Sequence, residues 1–417
     1  MGNITDLQRV LPVVDDNKAM HRRYNNHQQI FYQRGLILGL LISVALVHTR
    51  IPALVTYFLA ITIYIPIILL YVRNHNDFVV PQYYLHLYLL IAAIASIQIL
   101  ISPSIGSTAR LGAFLVFTAT NFFVIPRIFT FERFVSVLSR FSAMIVIIGF
   151  FPYLGVSPSF AGIDLSLWHG HIYWKQSLNP ITSIFYNPNA LGFLTVIGSL
   201  ASLSEIRRTK STFAVALFGI SITGLLWTNY RTGMIALFVC SLLYTIYTLY
   251  GSEIYALSIV MMIVSIIIGL SWMFGFMWGP EFLTEISLNN RRALWTAGYQ
   301  ALTDAPFIGH GLGQSRRATE PYLDNVMDFG LHNAYLRMFV ETGVIGGFAY
   351  LLFTVSAVVG SVRVHTQQFL VISLLLVSIT IIQLFNGLGL IGISMHSVIM
   401  SIVVGFYMCG ITDTEIS

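Results

Sequence analysis

Twelve stretches of roughly twenty mostly apolar residues follow one another along the chain. They lie near 30–48, 51–72, 81–101, 111–130, 134–155, 187–204, 211–229, 232–250, 254–274, 332–358, 369–388 and 391–410. A hydrocarbon layer about 30 Å thick is crossed by about 20 helical residues, and the peptide groups inside it must bond within their own segment. These runs predict an all-α, polytopic integral membrane protein with about twelve transmembrane helices. Composition agrees, because 56% hydrophobic and 9% charged residues cannot supply the polar surface of a soluble globule. The first run is short and borrows Ile30 to Tyr32, with Arg34 snorkelling toward the interface.

The polar, basic start of the chain lacks the form of a signal peptide, so residues 1–29 read as a cytoplasmic tail. With that tail inside, the positive-inside rule places Arg73, the Arg127/Arg133 turn, Arg207, Arg208, Lys210, the 250–253 turn and Arg363 inside as well. Helices one to nine then occupy 30–274 and helices ten to twelve 332–410, and the tail 411–417 returns to the cytoplasm. Two segments are left outside. One is 156–186; the other is a large, partly helical loop, 275–331, between the ninth and tenth helices. Cys240 and Cys409 both lie in apolar runs, so neither a disulfide nor a metal site is expected of them.

The external side breaks the charge rule. Arg231, Arg291, Arg292, Arg316, Arg317 and Arg337 all fall there, where positive charge opposes the topology. The net charge of +5 therefore points to something other than nucleic acid. A guanidinium fork matches phosphate oxygens in pairs, so the economical partner is a phosphate or diphosphate at the outer leaflet. In TNYRTG, Arg231 sits at an outer tip between two spanning helices, facing a polar cavity or headgroups. In FYNPNALGF, Asn187 and Asn189 flank Pro188 at a helix start, as caps or as a polar pocket. The stretch LSLWHGHIYWKQS reads as an amphipathic interfacial helix, or as a lid over a lipid tail or glycan with His169 or His171 making a contact. The stretch NNRRALWTAGYQALTDAPFIGHG predicts an external helix capped by Asn and ended by Pro306 and glycines, with Arg291 and Trp295 on one face. His332 and Asn333 head the tenth helix, where a titratable ring beside free N–H groups suits proton transfer next to an anion, although a capping role is the plain alternative. Asp304, Glu320, Asp324, Asp328 and Glu341 are dispersed, unlike the grouped carboxylates of a divalent-cation site.

The combination of NYRTG, RRALW followed by DAPFIGHGLG, and HNAYLRMFVETGVIG resembles the O-antigen ligase and O-antigen polymerase superfamily of bacterial envelope glycan assembly, from about 187 to 347. The spacing of His332, Asn333, Gly343 and Gly346 resembles the ligase-type pattern. The resemblance implies a metal-independent inverting glycosyltransferase without cofactor at the outer face of the prokaryotic inner membrane. It would move a glycan from undecaprenyl diphosphate to a sugar hydroxyl, on lipid A-core for a ligase or on a carrier-linked repeat for a polymerase. Its partners would be the carrier-linked glycan, the acceptor glycolipid or carrier-linked glycan, and membrane lipids, with no nucleic acid. In that picture Arg231 and Arg291, with Arg292 and Arg337, hold the diphosphate, and His332 acts as base or orienting group. Asn187, Asn189, Tyr230, Trp295 and Asn333 are the candidate pocket. A transporter or flippase is the competing class. Such a protein would show repeated halves and charges in mid-membrane, whereas this chain gathers its charges at one face.

Overall fold

The computed structural model describes residues 16–74, 80–273, 291–323, 330–362 and 367–416, and helix dominates among them. Helix α1 runs Asp16–Leu46, α2 Ala53–Asn74, α3 Gln82–Ile101 and α4 Ile105–Ile128. Then come α5 (Phe131–Gly149), α6 (Pro188–Thr209), α7 (Thr212–Thr228) and α8 (Arg231–Met273). The longer helices after it are α9 (Arg291–Asp304), α10 (Ala334–Ser361), α11 (Gln367–Phe385) and α12 (Met395–Ile416). Among the described residues eight helices are long and apolar enough to cross a membrane, and Thr212–Thr228, Phe369–Phe385 and Met395–Ile411 are shorter apolar helices. The protein is thus an all-α polytopic membrane protein. Helix α8 is broken at Gly251, where φ is 81°. Leu54, Phe58 and Phe238 are among the large apolar side chains left exposed on α2 and α8, as a lipid-facing surface requires.

Several boundaries differ from the pattern of apolar runs. Helix α1 begins at Asp16, well before the first apolar residue of its span. Helix α4 is interrupted by π-helical turns at Phe114–Thr118 and Thr120–Val124. Residues 386–394 are not helical, so the last run yields a helix only from Met395. The expected interfacial helix in 156–186 does not form. In its place β1 (Ser159–Phe160) pairs antiparallel with β2 (Ile163–Asp164), followed by isolated bridges between Leu167 and Ile181 and between Ile172 and Lys175. Pro158, Gly162, Gly170 and Pro180 interrupt any helix there, and the backbone finds partners on its neighbours instead. Arg50 N donates to Gly162 O at 3.0 Å, Ile181 N to Trp227 O at 3.0 Å and Tyr186 N to His48 O at 2.9 Å. The segment is therefore a docked platform. The Asn cap expected for the external helix, Asp324, Asp328, Arg363 and residues 1–15 of the tail lie outside the described residues.

Helix α6 is the buried centre, packed between α5 and α7. Its Thr195, Ser199 and Ser202 return their hydroxyls to the backbone at 2.7, 2.8 and 2.8 Å, so polar residues cost little there. Glu205 at its end is clamped by Arg140 through contacts of 2.8 and 3.0 Å, which keeps a nearly buried carboxylate paired.

The glycine-rich run after α9 is explained by a break in α10. At Gly343 φ is 66°, so the backbone leaves the helix for one residue. Val344 N then donates to Pro306 O at 2.7 Å, and the freed carbonyls of Val340 and Glu341 accept from His310 N at 2.9 Å and Gly311 N at 2.8 Å. Gly309, with φ 69°, lies so close to this break that a Cβ would come within 2.5 Å of backbone atoms of 341–343. The loop and α10 are thereby locked together, which sets where α9 and the start of α10 face each other.

Candidate functional site

A cavity of about 630 Å³ opens where the helices end together at one side of the bundle. Each wall has a local cause. Asn187 caps α6 by accepting from Asn189 N at 2.7 Å, with Pro188 at the first helical position. The α7–α8 junction turns at Asn229, in the left-handed region with φ 56°, and α8 restarts at Arg231. Arg291 begins α9, and its neighbour Trp295 is fully buried and donates its indole N–H to Leu331 O at 2.8 Å. That bond fixes the residue before His332. His332 has φ 47° and stands outside α10, while Asn333 is the cap, accepting from Leu336 N at 3.0 Å. The expectation that His332 is the first helical residue is therefore corrected, and capping is Asn333's task.

Arg231, Arg291, His332, Asn187, Asn189 and Tyr230 all line this cavity. Arg231 lies 3.9 Å over the Tyr173 ring, and Arg291 lies 5.8 Å from the Phe385 ring centroid. Aromatic faces thus hold both guanidiniums without neutralising them. Burial, and then the like charge of Arg231, hold Arg291 below the ordinary arginine pKa, while the Tyr230 phenol opposes this. Tyr230 is itself pushed up to about 12 by burial. Among the described residues that line the cavity none is Asp or Glu, so the space is electropositive and shaped for an anion.

Two histidines on the same wall were not singled out in the sequence. His48, in the turn after α1, and His396, in the first turn of α12, are both buried, and their Nε2 and Nδ1 atoms lie 3.2 Å apart. Burial pushes His48 down to about 4. The Nε2 atom of His396 has no protein hydrogen-bond partner. Tyr186 stacks on His48 at 6.0 Å, and Asn386 enters from the non-helical stretch after α11. Each histidine alone in an apolar run reads as a core residue, and only their meeting across 348 positions marks them.

Other expected contributors stand apart. Arg292 faces a separate surface depression beside Thr296, Gln300 and Tyr322, so Arg291 is the member of the pair that meets the cavity. Arg337 pairs with Glu341 at 3.2 Å and donates to Gly387 O at 2.6 Å, pinning the loop that carries Asn386. Trp295 and Asn333 support the cavity from behind its lining. His169 lines a neighbouring depression, and His171 contributes its carbonyl to Asn229 at 3.2 Å. Among the described residues no group of three or more His, Cys, Asp or Glu is gathered for a metal ion.

A multi-helix membrane bundle with a cationic cavity at its helix ends defines a membrane-embedded protein with a site suited to an anion. Residues 216–351 match the family described as O-antigen ligase, so this part of the chain is similar to the O-antigen ligase domain. The match runs from α7 through the break in α10 and so includes Arg231, Arg291 and His332. No curated protein matches the chain.

Proposed function

We propose that the protein is an O-antigen ligase-type, metal-independent inverting glycosyltransferase. It would move a glycan from undecaprenyl diphosphate to a sugar hydroxyl of lipid A-core at the outer face of a prokaryotic inner membrane. The observation that carries this reading is the placing of Arg231 and Arg291 in one cavity with no carboxylate among its described lining residues. In the reaction the acceptor oxygen bonds to the anomeric carbon as the carbon–oxygen bond to the diphosphate breaks. The electron pair leaves with the diphosphate, where Arg231 and Arg291 meet the growing charge. The hydroxyl proton passes to the imidazole of His332. In this reading the two halves of α8 cross separately and the shorter apolar helices also cross, twelve crossings in all, and both termini are assigned to the cytoplasm and the cavity to the outside. The ligase choice rests on the His332 to Gly346 spacing.

The test supplies purified protein with carrier-linked glycan and lipid A-core. Glycan-capped lipid A-core is the expected product. Longer carrier-linked chains would make the protein a polymerase, and unchanged substrates would return the transporter reading. His332→Asn is expected to fold, since asparagine tolerates left-handed backbone and Asn333 already caps α10. It should bind donor normally and lose about 10²-fold or more in turnover. Substantial transfer by this variant would reduce His332 to a structural residue.

A further inference from the structure

Beside the cationic cavity, and sharing Tyr186 with it as a common wall, lies a second depression of about 300 Å³. Arg50, Asp164, Trp168, His169 and Thr182 contribute to its lining. Resting on the glycan-transfer reading, we infer that this depression is a glycan subsite, which holds sugars remote from the bond being made.

The chemistry of the lining selects the ligand. Arg50 donates to Asp164 at 2.9 Å, and Asp164 also accepts from Ser159, so the positive charge is already balanced within the site. An anionic headgroup or a second phosphate would gain little there, unlike in the neighbouring cavity. The pair still offers hydrogen bonds, because the Arg50 side chain is 67% exposed and that of Asp164 25%. Donors and acceptors side by side suit neutral vicinal hydroxyls. Trp168 adds an aromatic face, 42% exposed, against which the apolar face of a pyranose can lie.

The depression is also built to stay in place. The hairpin that carries Asp164 is docked on the 48–52 turn through Arg50 N to Gly162 O at 3.0 Å. Trp168 N donates to Pro180 O at 2.8 Å, and Thr182 Oγ1 to Ser166 O at 2.7 Å. Preorganised polar and aromatic groups bind a ligand without an ordering cost of their own. A glycan attached at the diphosphate in the first cavity reaches this second one by passing Tyr186, which is 48% exposed between them.

The test compares full-length wild type, Trp168→Ala and Asp164→Asn on undecaprenyl diphosphate donors bearing one sugar and bearing several repeat units. For the long donor KM is expected to rise about tenfold in both variants. For the single-sugar donor KM, and for both donors kcat, should stay within about twofold. An equal change for both donors would make Trp168 a headgroup anchor, and no change for either would leave the depression empty of function; both overturn the inference. Transfer of the single-sugar donor by wild type separates such a failure from failure of the transferase reading. A second arm needs no reaction. Titration of wild type with a free oligosaccharide of several sugars should give a saturable tryptophan signal that Trp168→Phe loses and Trp174→Phe keeps. No saturation up to about 1 mM overturns the subsite.

Discussion

Two guanidiniums facing one space repel each other until an anion lies between them, and this residue-scale conflict is the clearest statement the site makes. Arg231→Ala and Arg291→Ala are each expected to lower transfer by about 10²-fold or more without loss of membrane insertion, as read by product formation and by yield from membranes. Lysine at either position should restore only part of that loss, since a point charge cannot grip two phosphate oxygens. Arg292→Ala, on a different surface, should retain near-normal transfer. If the Arg231 and Arg291 alanine variants both kept full activity, the pair would be headgroup anchors. Arg231 was legible because a charged turn between two apolar runs demands a polar surrounding. The choice between Arg291 and Arg292 was not, because a helix of undefined rotation does not say which neighbour faces inward.

At the scale of elements, the junction of α10 with the loop after α9 is the joint on which the cavity hangs. Gly343 holds φ 66°, and a Cβ there would fall within 2.5 Å of Ile308 N and closer still to Phe307. Gly343→Ala is therefore expected to cost about 3 kcal/mol or more, through left-handed strain and loss of the three hydrogen bonds that dock the 306–311 loop on α10. Thermal unfolding in detergent should show a clear fall in Tm. Gly112→Ala, in open space on α4, should not lower Tm. An unchanged Tm in Gly343→Ala would mean that the break in α10 is not held by this contact. The helix start signals at Asn187–Pro188 were readable from side-chain chemistry alone. The platform 156–186 was misread, because aromatic spacing alone cannot register the backbone partners supplied by 48–50 and Trp227.

For the whole molecule, the decisive measurement is sidedness. In a background of Cys240→Ser and Cys409→Ser, a cysteine at Thr209 is expected to be shielded from impermeant reagent in intact cells, whereas one at Trp168 should label. Serine suits position 240 because the buried Cys240 thiol donates to Leu374 O at 3.2 Å, a bond a hydroxyl preserves. Labelling of the Thr209 cysteine from outside would reverse the bundle and move the cavity to the cytoplasmic face. The lipid-exposed α2 and α8, against the buried α6, give the bundle a definite inside and outside within the membrane plane.

The sequence by itself determined the all-helical membrane class, because apolar runs of spanning length permit little else where peptide groups have no water. It also marked Arg231 and His332, since charge and a histidine at helix ends stand out against an apolar background. Only the tertiary structure decided which arginine of the Arg291–Arg292 pair turns inward, and it alone joined His48 to His396 and drew Arg337 into a pin for the 386–394 loop. Those outcomes depend on helix rotation and on contacts between residues far apart in the chain, and such contacts leave no local pattern to read.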